Sequence, residues 1–127
     1  MHRALLLACM TLGFVGAAAH AQYPERAIRI VVPAAPGGGL DTTARVLAQK
    51  GQELLNQTIY VENKPGANWV IGMEHVAKSP PDGYTLLFYG STIWISPFMR
   101  THVPYDPVRD FAPVTLAMRS PNVLVVN

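Results

Sequence analysis

The stretch Ile28–Arg45, IRIVVPAAPGGGLDTTAR, decides how the rest of this 127-residue chain is read. Ile28–Val32 is almost wholly apolar, as expected of a parallel strand covered on both faces. Pro33 and Pro36 bracket a turn, and Gly37-Gly38-Gly39 let the backbone reverse there or approach another group closely. A helix follows to about Leu55. Its residues Leu40, Ala44, Leu47, Ala48 and Leu55 fall on one face of a 3.6-residue period. Asp41 stands at the N-cap or in the first turn, where a carboxylate is favoured, and pairs in sequence with Arg45 four residues on. This order leaves free backbone N–H groups at a helix N-terminus, which suits an anion.

Working outward, Thr58–Glu62 reads as a second strand and Asn63-Lys64-Pro65-Gly66 as a turn. Val70–Lys78 reads as a short helix with Met73, Val76 and Ala77 buried. Pro80-Pro81-Asp82-Gly83 breaks the chain before a third strand, Tyr84–Tyr89. Beyond it come the loop Gly90–Ile95, a short helical or irregular piece near Pro97–Met99, and a turn at Pro104-Tyr105-Asp106-Pro107. Strand-like segments follow at Val114–Met118 and Val123–Val126. Strands alternating with helices predict an α/β fold: a parallel sheet with flanking helices, joined by right-handed crossovers. Ligands in such sheets bind beyond the carboxyl ends of the strands, which marks the loops Pro33–Leu40 and Gly90–Ile95.

The ends of the chain carry separate signals. Arg3, the apolar or small run Ala4–Ala19, and Ala19-His20-Ala21 before Gln22 describe a signal peptide over residues 1–21 and hence export. The run is shorter than the roughly 20 residues of a spanning helix, which disfavours a membrane anchor. Cys9 comes too early in it for a lipoprotein site. Cleavage would leave 106 residues with no cysteine, 9 Lys+Arg and 8 Asp+Glu. Disulfides, thiolate metal sites and cysteine nucleophiles are then excluded. The scattered, near-neutral charge gives no nucleic-acid footprint. At the other end, Pro121–Asn127 is an apolar, β-branched run in which the chain stops, as in a protein cut within a longer fold.

The glycine turn lacks the side chains of nucleotide loops. No Lys follows Gly39 before Lys50, Thr42 stands where a dinucleotide motif needs glycine, and Asp41 would repel a pyrophosphate. A small carboxylate held by backbone N–H groups fits better, and a purely structural strand-to-helix turn stands beside that reading. Ser91 and Thr92 either donate to a ligand or cap their own loop. Gly90-Ser91-Thr92-Ile93 is no nucleophile elbow. Trp69, next to Asn68, and Trp94 are either core aromatics or pocket walls. His75 and His102 read as surface or satisfied polar residues. Asp82, Asp106 and Asp110 read as turn caps. No metal or cofactor is expected.

Five segments then agree: YPERAIRIVVPAAPGGGLDTTAR (Tyr23–Arg45), VENKPGA (Val61–Ala67), PPDGYTLL (Pro80–Leu87), PYDPVRDFAPVT (Pro104–Thr115) and PNVLVVN (Pro121–Asn127). In order and spacing they resemble the Bug or TctC-like family, the extracytoplasmic solute receptors of tripartite tricarboxylate transporters. The resemblance implies a periplasmic binding protein of the type II-like fold, with two α/β lobes closing on a small organic acid. That acid is then delivered to the membrane components of the transporter. It implies a first lobe over residues 22–112, a crossover and start of the second lobe over 113–127, and a monomer. Carried over by motif, Ala34, Ala35, Pro36, Gly37, Gly38, Gly39 and Asp41, with Gly90, Ser91 and Thr92, would line the first lobe's side of the cleft. Asn68 and Trp69 join them as departures from the family, which often has Gly-Gly there. Trp94 and Ser96-Pro97 stand where the family often has a His and an Asn-Pro pair. These bulkier groups could favour an aromatic or less polar acid. The alternatives are an exported α/β enzyme acting on a small acid through Gly37–Asp41 or Ser91, and a non-functional truncated product.

Overall fold

In the computed structural model the described residues are 23–119. The signal peptide read over residues 1–21 and the strand read at 123–126 lie outside them. Three strands, β1 (Ile28–Val32), β2 (Ile59–Asn63) and β3 (Thr85–Leu87), alternate with three helices, α1 (Gly39–Leu55), α2 (Val70–Ala77) and α3 (Thr92–Met99). All pairings are parallel, and the sheet order is β2-β1-β3. Ile28 stands opposite Ile59, and Val31 opposite Leu87.

The α/β reading therefore holds, and side-chain alternation along β1 explains the layers. Ile28, Ile30 and Val32 point to one face, where they bury Ala44 and Ala48 of α1 with Ile59. The opposite face gathers Met73 of α2, Ile93 of α3 and Tyr105, with Leu87 and Tyr89 packed against them. Tyr105 meets Phe111 edge-on at 5.8 Å, which fastens the irregular segment after α3 beneath the sheet.

Helix α1 buries a narrower stripe than its periodicity suggests. Ala44 and Ala48 are buried, while Leu47 and Leu55 are exposed. The small residues are the cause. An added Cβ on Gly51 would come within 2.6 Å of Ile59 Cδ1, so helix and strand nearly touch along this line. Leu47 is left on the flank and Leu55 beyond the strand's end. The helix stops at Asn56 in the left-handed conformation (φ 49°), a common helix terminator.

Two other expectations need correction. The segment Val114–Met118 forms no strand; Val114 and Leu116 are exposed. Alternation alone does not make a strand, which needs a paired neighbour, and none is present among the described residues. The third strand is also shorter than its apolar run, because beyond Leu87 only the single bond from Phe88 N to Val31 O (3.0 Å) continues the pairing.

Helix α2 reaches β1 through a glycine. A Cβ on Gly72 would lie 2.6 Å from Pro33 Cβ, 2.9 Å from Pro33 Cα and 3.0 Å from the Lys64 carbonyl oxygen. Two of those three neighbours are backbone atoms, so the contact cannot relax by a rotamer change. Gly72→Ala should cost about 1–3 kcal/mol through overpacking and lower the melting temperature followed by circular dichroism. Gly39→Ala, whose methyl would meet nothing within 4 Å, should leave it unchanged or raise it.

Candidate functional site

Three turns open from the carboxyl ends of the strands: 33–38 after β1, 64–69 after β2 and 88–91 after β3. The chain leaves β1 for β2 on one side, then crosses β1 to reach β3 on the other. A parallel sheet has its crevice at such a reversal, between the ends of β1 and β3. Lys64 N donates to Val32 O at 2.9 Å, and Phe88 N to Val31 O at 3.0 Å, so all three turns depart from one short edge.

The first turn is locked from behind. Asp41, 3% exposed, accepts from Gly37 N (2.8 Å), Asn63 Nδ2 (2.9 Å) and Arg45 Nε (3.1 Å). A second contact joins Arg45 Nη2 to Asp41 Oδ1 at 3.0 Å. Asn63 Nδ2 also donates to the Ala34 carbonyl (3.1 Å), and Arg45 Nη2 donates to Asn63 Oδ1 (3.0 Å). The Arg45 bonds, then the Gly37 N–H and Asn63, hold the Asp41 carboxyl below its ordinary 3.8, at about 2. Asp41 thus shapes the turn from its closed side. Gly38 caps α1 without a side chain, and Gly39, Leu40 and Asp41 form the first turn, whose N–H groups have no acceptor within the helix. Ala35, Pro36, Gly37, Gly38 and Gly39 are all exposed.

Across the β1–β3 edge, Ser91 caps α3 with no hydrogen bond from its hydroxyl, and Gly90 and Ser91 are exposed. Thr92 is already helical, and so is Trp94, read above as a loop residue. Both adjacent strands therefore lead into helix N-termini. The helical or irregular piece read near Pro97–Met99 is the end of this helix; its start was obscured because a proline six residues into a helix removes a donor. Tyr89, which sequence reasoning passed over, stands at the root of this turn with Thr92 beside its hydroxyl, and burial raises its pKa. Its place as the last apolar position of YTLLFY was the available signal.

The turn after β2 is strained. Ala67, Asn68 and Trp69 have φ of 46°, 55° and 74°, after Gly66 at 130°. A left-handed residue other than glycine costs ~1–2 kcal/mol, less for asparagine. The Trp69 ring lies 5.7 Å from that of Tyr89, so the second and third turns meet through this pair. Trp94 lies in α3 and is 48% exposed.

The remaining polar residues lie elsewhere. Asp82 accepts from Tyr84 N (3.0 Å), Asp106 from the N–H groups of Val108 and Arg109 (2.9 Å each), and Asp110 from Asp106 N (2.7 Å). All three are turn caps, as expected. His75 departs from expectation: its Nε2 is buried without a partner. Burial, then Lys64 and Arg29, lowers its pKa, which favours the neutral ring. Among the described residues no three His, Cys, Asp or Glu side chains cluster as metal ligands, and no helix is long and apolar enough to cross a membrane. A depression of about 300 Å³, between Arg26, Arg29, Tyr60, Asp82 and Tyr84, lies at the opposite, amino end of the sheet. Its two arginines are already paired, with Asp82 and Glu62.

Comparison with known proteins bears on this edge. Residues 43–127 match the family model described as tripartite tricarboxylate transporter family receptor. A curated relative, the UPF0065 protein in the tcbD-tcbE intergenic region of Pseudomonas sp. (strain P51), is 39% identical over 98% of this chain and 38% of its own length. The chain thus spans little more than a third of that relative. The solved structure of the periplasmic binding protein BugD is 41% identical, with a TM-score of 0.68 over 72% of this chain and 30% of its own. MatC from Rhodopseudomonas palustris with bound malate is 35% identical, with a TM-score of 0.62 over 72% of this chain and 32% of its own. An R. palustris protein with adipate is 31% identical, with a TM-score of 0.60 over 67% and 29%.

The Asp41 ring makes a pH prediction. A carboxyl whose folded pKa is depressed contributes stability in full above its unfolded value. That contribution is lost as pH falls from about 4 through about 2. Asp41→Asn should therefore lower the melting temperature at neutral pH and flatten the acid limb between those values. Thermal melts across a pH series check both.

Proposed function

The chain belongs to the tripartite tricarboxylate transporter receptor family, and from that premise we propose that it forms one wall of a carboxylate-binding cleft in a periplasmic solute receptor. Residues 22–112 are read as the first lobe and 113–127 as the crossover and start of a second. One observation carries the reading. The open first turn of α1, held in shape by Asp41, stands at the same sheet edge as the uncommitted Ser91 hydroxyl. N–H groups at a helix start, with a nearby hydroxyl, suit a singly charged carboxylate.

Charge accounts for the choice of anion. The negative Asp41 is matched by Arg45, so the turn offers a carboxylate only N–H dipoles and the positive end of α1. None of the three turns supplies a free Lys or Arg for a doubly charged phosphate; Lys64 is committed to Glu62 at 2.8 Å. Malate and adipate in two structural neighbours support the same ligand class. Closure of a second lobe over the bound acid would select the closed state, which a membrane partner could then read.

Isothermal titration calorimetry on the product of the complete reading frame, with malate, adipate, benzoate, phenylacetate and inorganic phosphate, tests the proposal. At least one carboxylate should bind and phosphate should not. Ser91→Ala should weaken the carboxylate by roughly ten- to a hundredfold, the worth of one hydrogen bond to a charged acceptor. Binding of phosphate alone, or of no acid, would refute the reading.

A further inference from the structure

The geometry points to the Trp69–Tyr89 pair as the element that sets ligand class: we propose that this cleft takes carboxylates with a flat aromatic body in preference to short aliphatic diacids. The inference rests on the carboxylate reading above and adds to it what lies beside the carboxylate.

Trp69 occupies a costly place. Residues 66–69 run through four successive positive φ angles, and glycine stands only at the first. At φ 74° a bulky tryptophan is an outlier that a glycine would not be. Its indole N–H makes no hydrogen bond among the described residues, so no polar contact of the ring offsets that cost. What the position achieves is placement. Trp69 is the N-cap of α2, and the Gly72–Pro33 contact one turn later presses that helix onto the base of the glycine turn. Trp69 therefore stands between the first turn, reached through Pro33, and the third, reached through Tyr89.

The pair is open on one side. The rings are 5.7 Å apart and tilted by 46°, and Trp69 remains 36% exposed. Tilted aromatic surfaces next to a carboxylate site match a planar ring attached to that carboxylate. A four- or six-carbon aliphatic diacid covers less of them and carries a second charge towards an apolar wall.

The product of the complete reading frame would be titrated with benzoate and phenylacetate against malate and adipate, by calorimetry and by tryptophan fluorescence. The aromatic acids should bind about tenfold more tightly, the scale of one good aromatic contact. Trp69→Gly should weaken the aromatic acids about tenfold and move the aliphatic ones by less than about twofold. Trp69→Phe should keep most of the preference while removing the ligand-dependent fluorescence change. Circular dichroism melts would confirm that both variants fold. Tighter binding of malate or adipate, or an equal loss for all four acids in Trp69→Gly, would overturn the inference and leave the carboxylate reading standing. Binding of none of the acids would overturn both.

Discussion

A buried carboxylate holds the carboxyl edge of the sheet together. Asp41 lies in α1, Gly37 and Ala34 in the turn after β1, and Asn63 at the end of β2. The ring of bonds among Asp41, Asn63, Arg45 and these backbone groups makes the three segments one unit. A carboxylate removed from water is tolerable only when its acceptor sites are filled and its charge is matched. Here each oxygen is used, and Arg45 supplies the opposite charge while staying half exposed. The outcome is mechanical as well as electrostatic. A turn rich in glycine would otherwise sample many shapes, and the Asp41 bond to Gly37 N holds one of them. The N–H groups left facing outward belong to a fixed turn, so a ligand bound as proposed would not bear the entropy of ordering it.

The other side of the edge depends on close packing instead. Gly72 lets α2 lie on Pro33, and this crossing brings the turn after β2 over to the turn after β3. Polar networks and small-residue contacts thus divide the work. On the α1 side, Ala44, Ala48 and Gly51 draw the helix down onto the sheet, while Asp41 ties its first turn to the loop. On the α2 side, glycine fixes the distance and the aromatic pair fills the remaining space. Glu62 joins this side to the sheet through Arg29 (3.1 Å) and Lys64 (2.8 Å), near the unpartnered His75.

Much of this was legible in the residues. The apolar run at Ile28–Val32 gave a strand with the observed limits, and the periodicity after Gly39 gave the helix and its Asp41–Arg45 pair. What periodicity could not supply was distance. Leu47 and Leu55 have the right spacing for burial, yet small neighbours bring helix and strand so close that the stripe shrinks to alanines. The strand expected at Val114–Met118 failed for a related reason, since pairing is a property of two segments and the pattern describes one. Helix α3 was read only in part, near Pro97–Met99, because Pro97 and β-branched neighbours argue against a longer helix locally, while Ile93 and Ser96 are buried by tertiary contact. Tyr89 escaped notice because its importance comes from Trp69, twenty residues away, and only the β2–α2–β3 crossing over β1 makes them neighbours.

The same crossing explains why the turn after β2 matters despite its distance in sequence from the glycine turn. In a three-stranded order of β2-β1-β3, every connection that changes sides must pass over the central strand. The segment beginning that passage sits beside the crevice whatever its residues are. The backbone there is left-handed over four positions, which glycine would satisfy at no steric cost. Asn68 fits tolerably, but Ala67 and Trp69 do not, so rigidity and an aromatic surface are gained together at the expense of local strain. A glycine pair would leave that side of the crevice bare and mobile. Tryptophan leaves it apolar and held in place, which in the proposed cleft would move the balance from charge recognition towards shape.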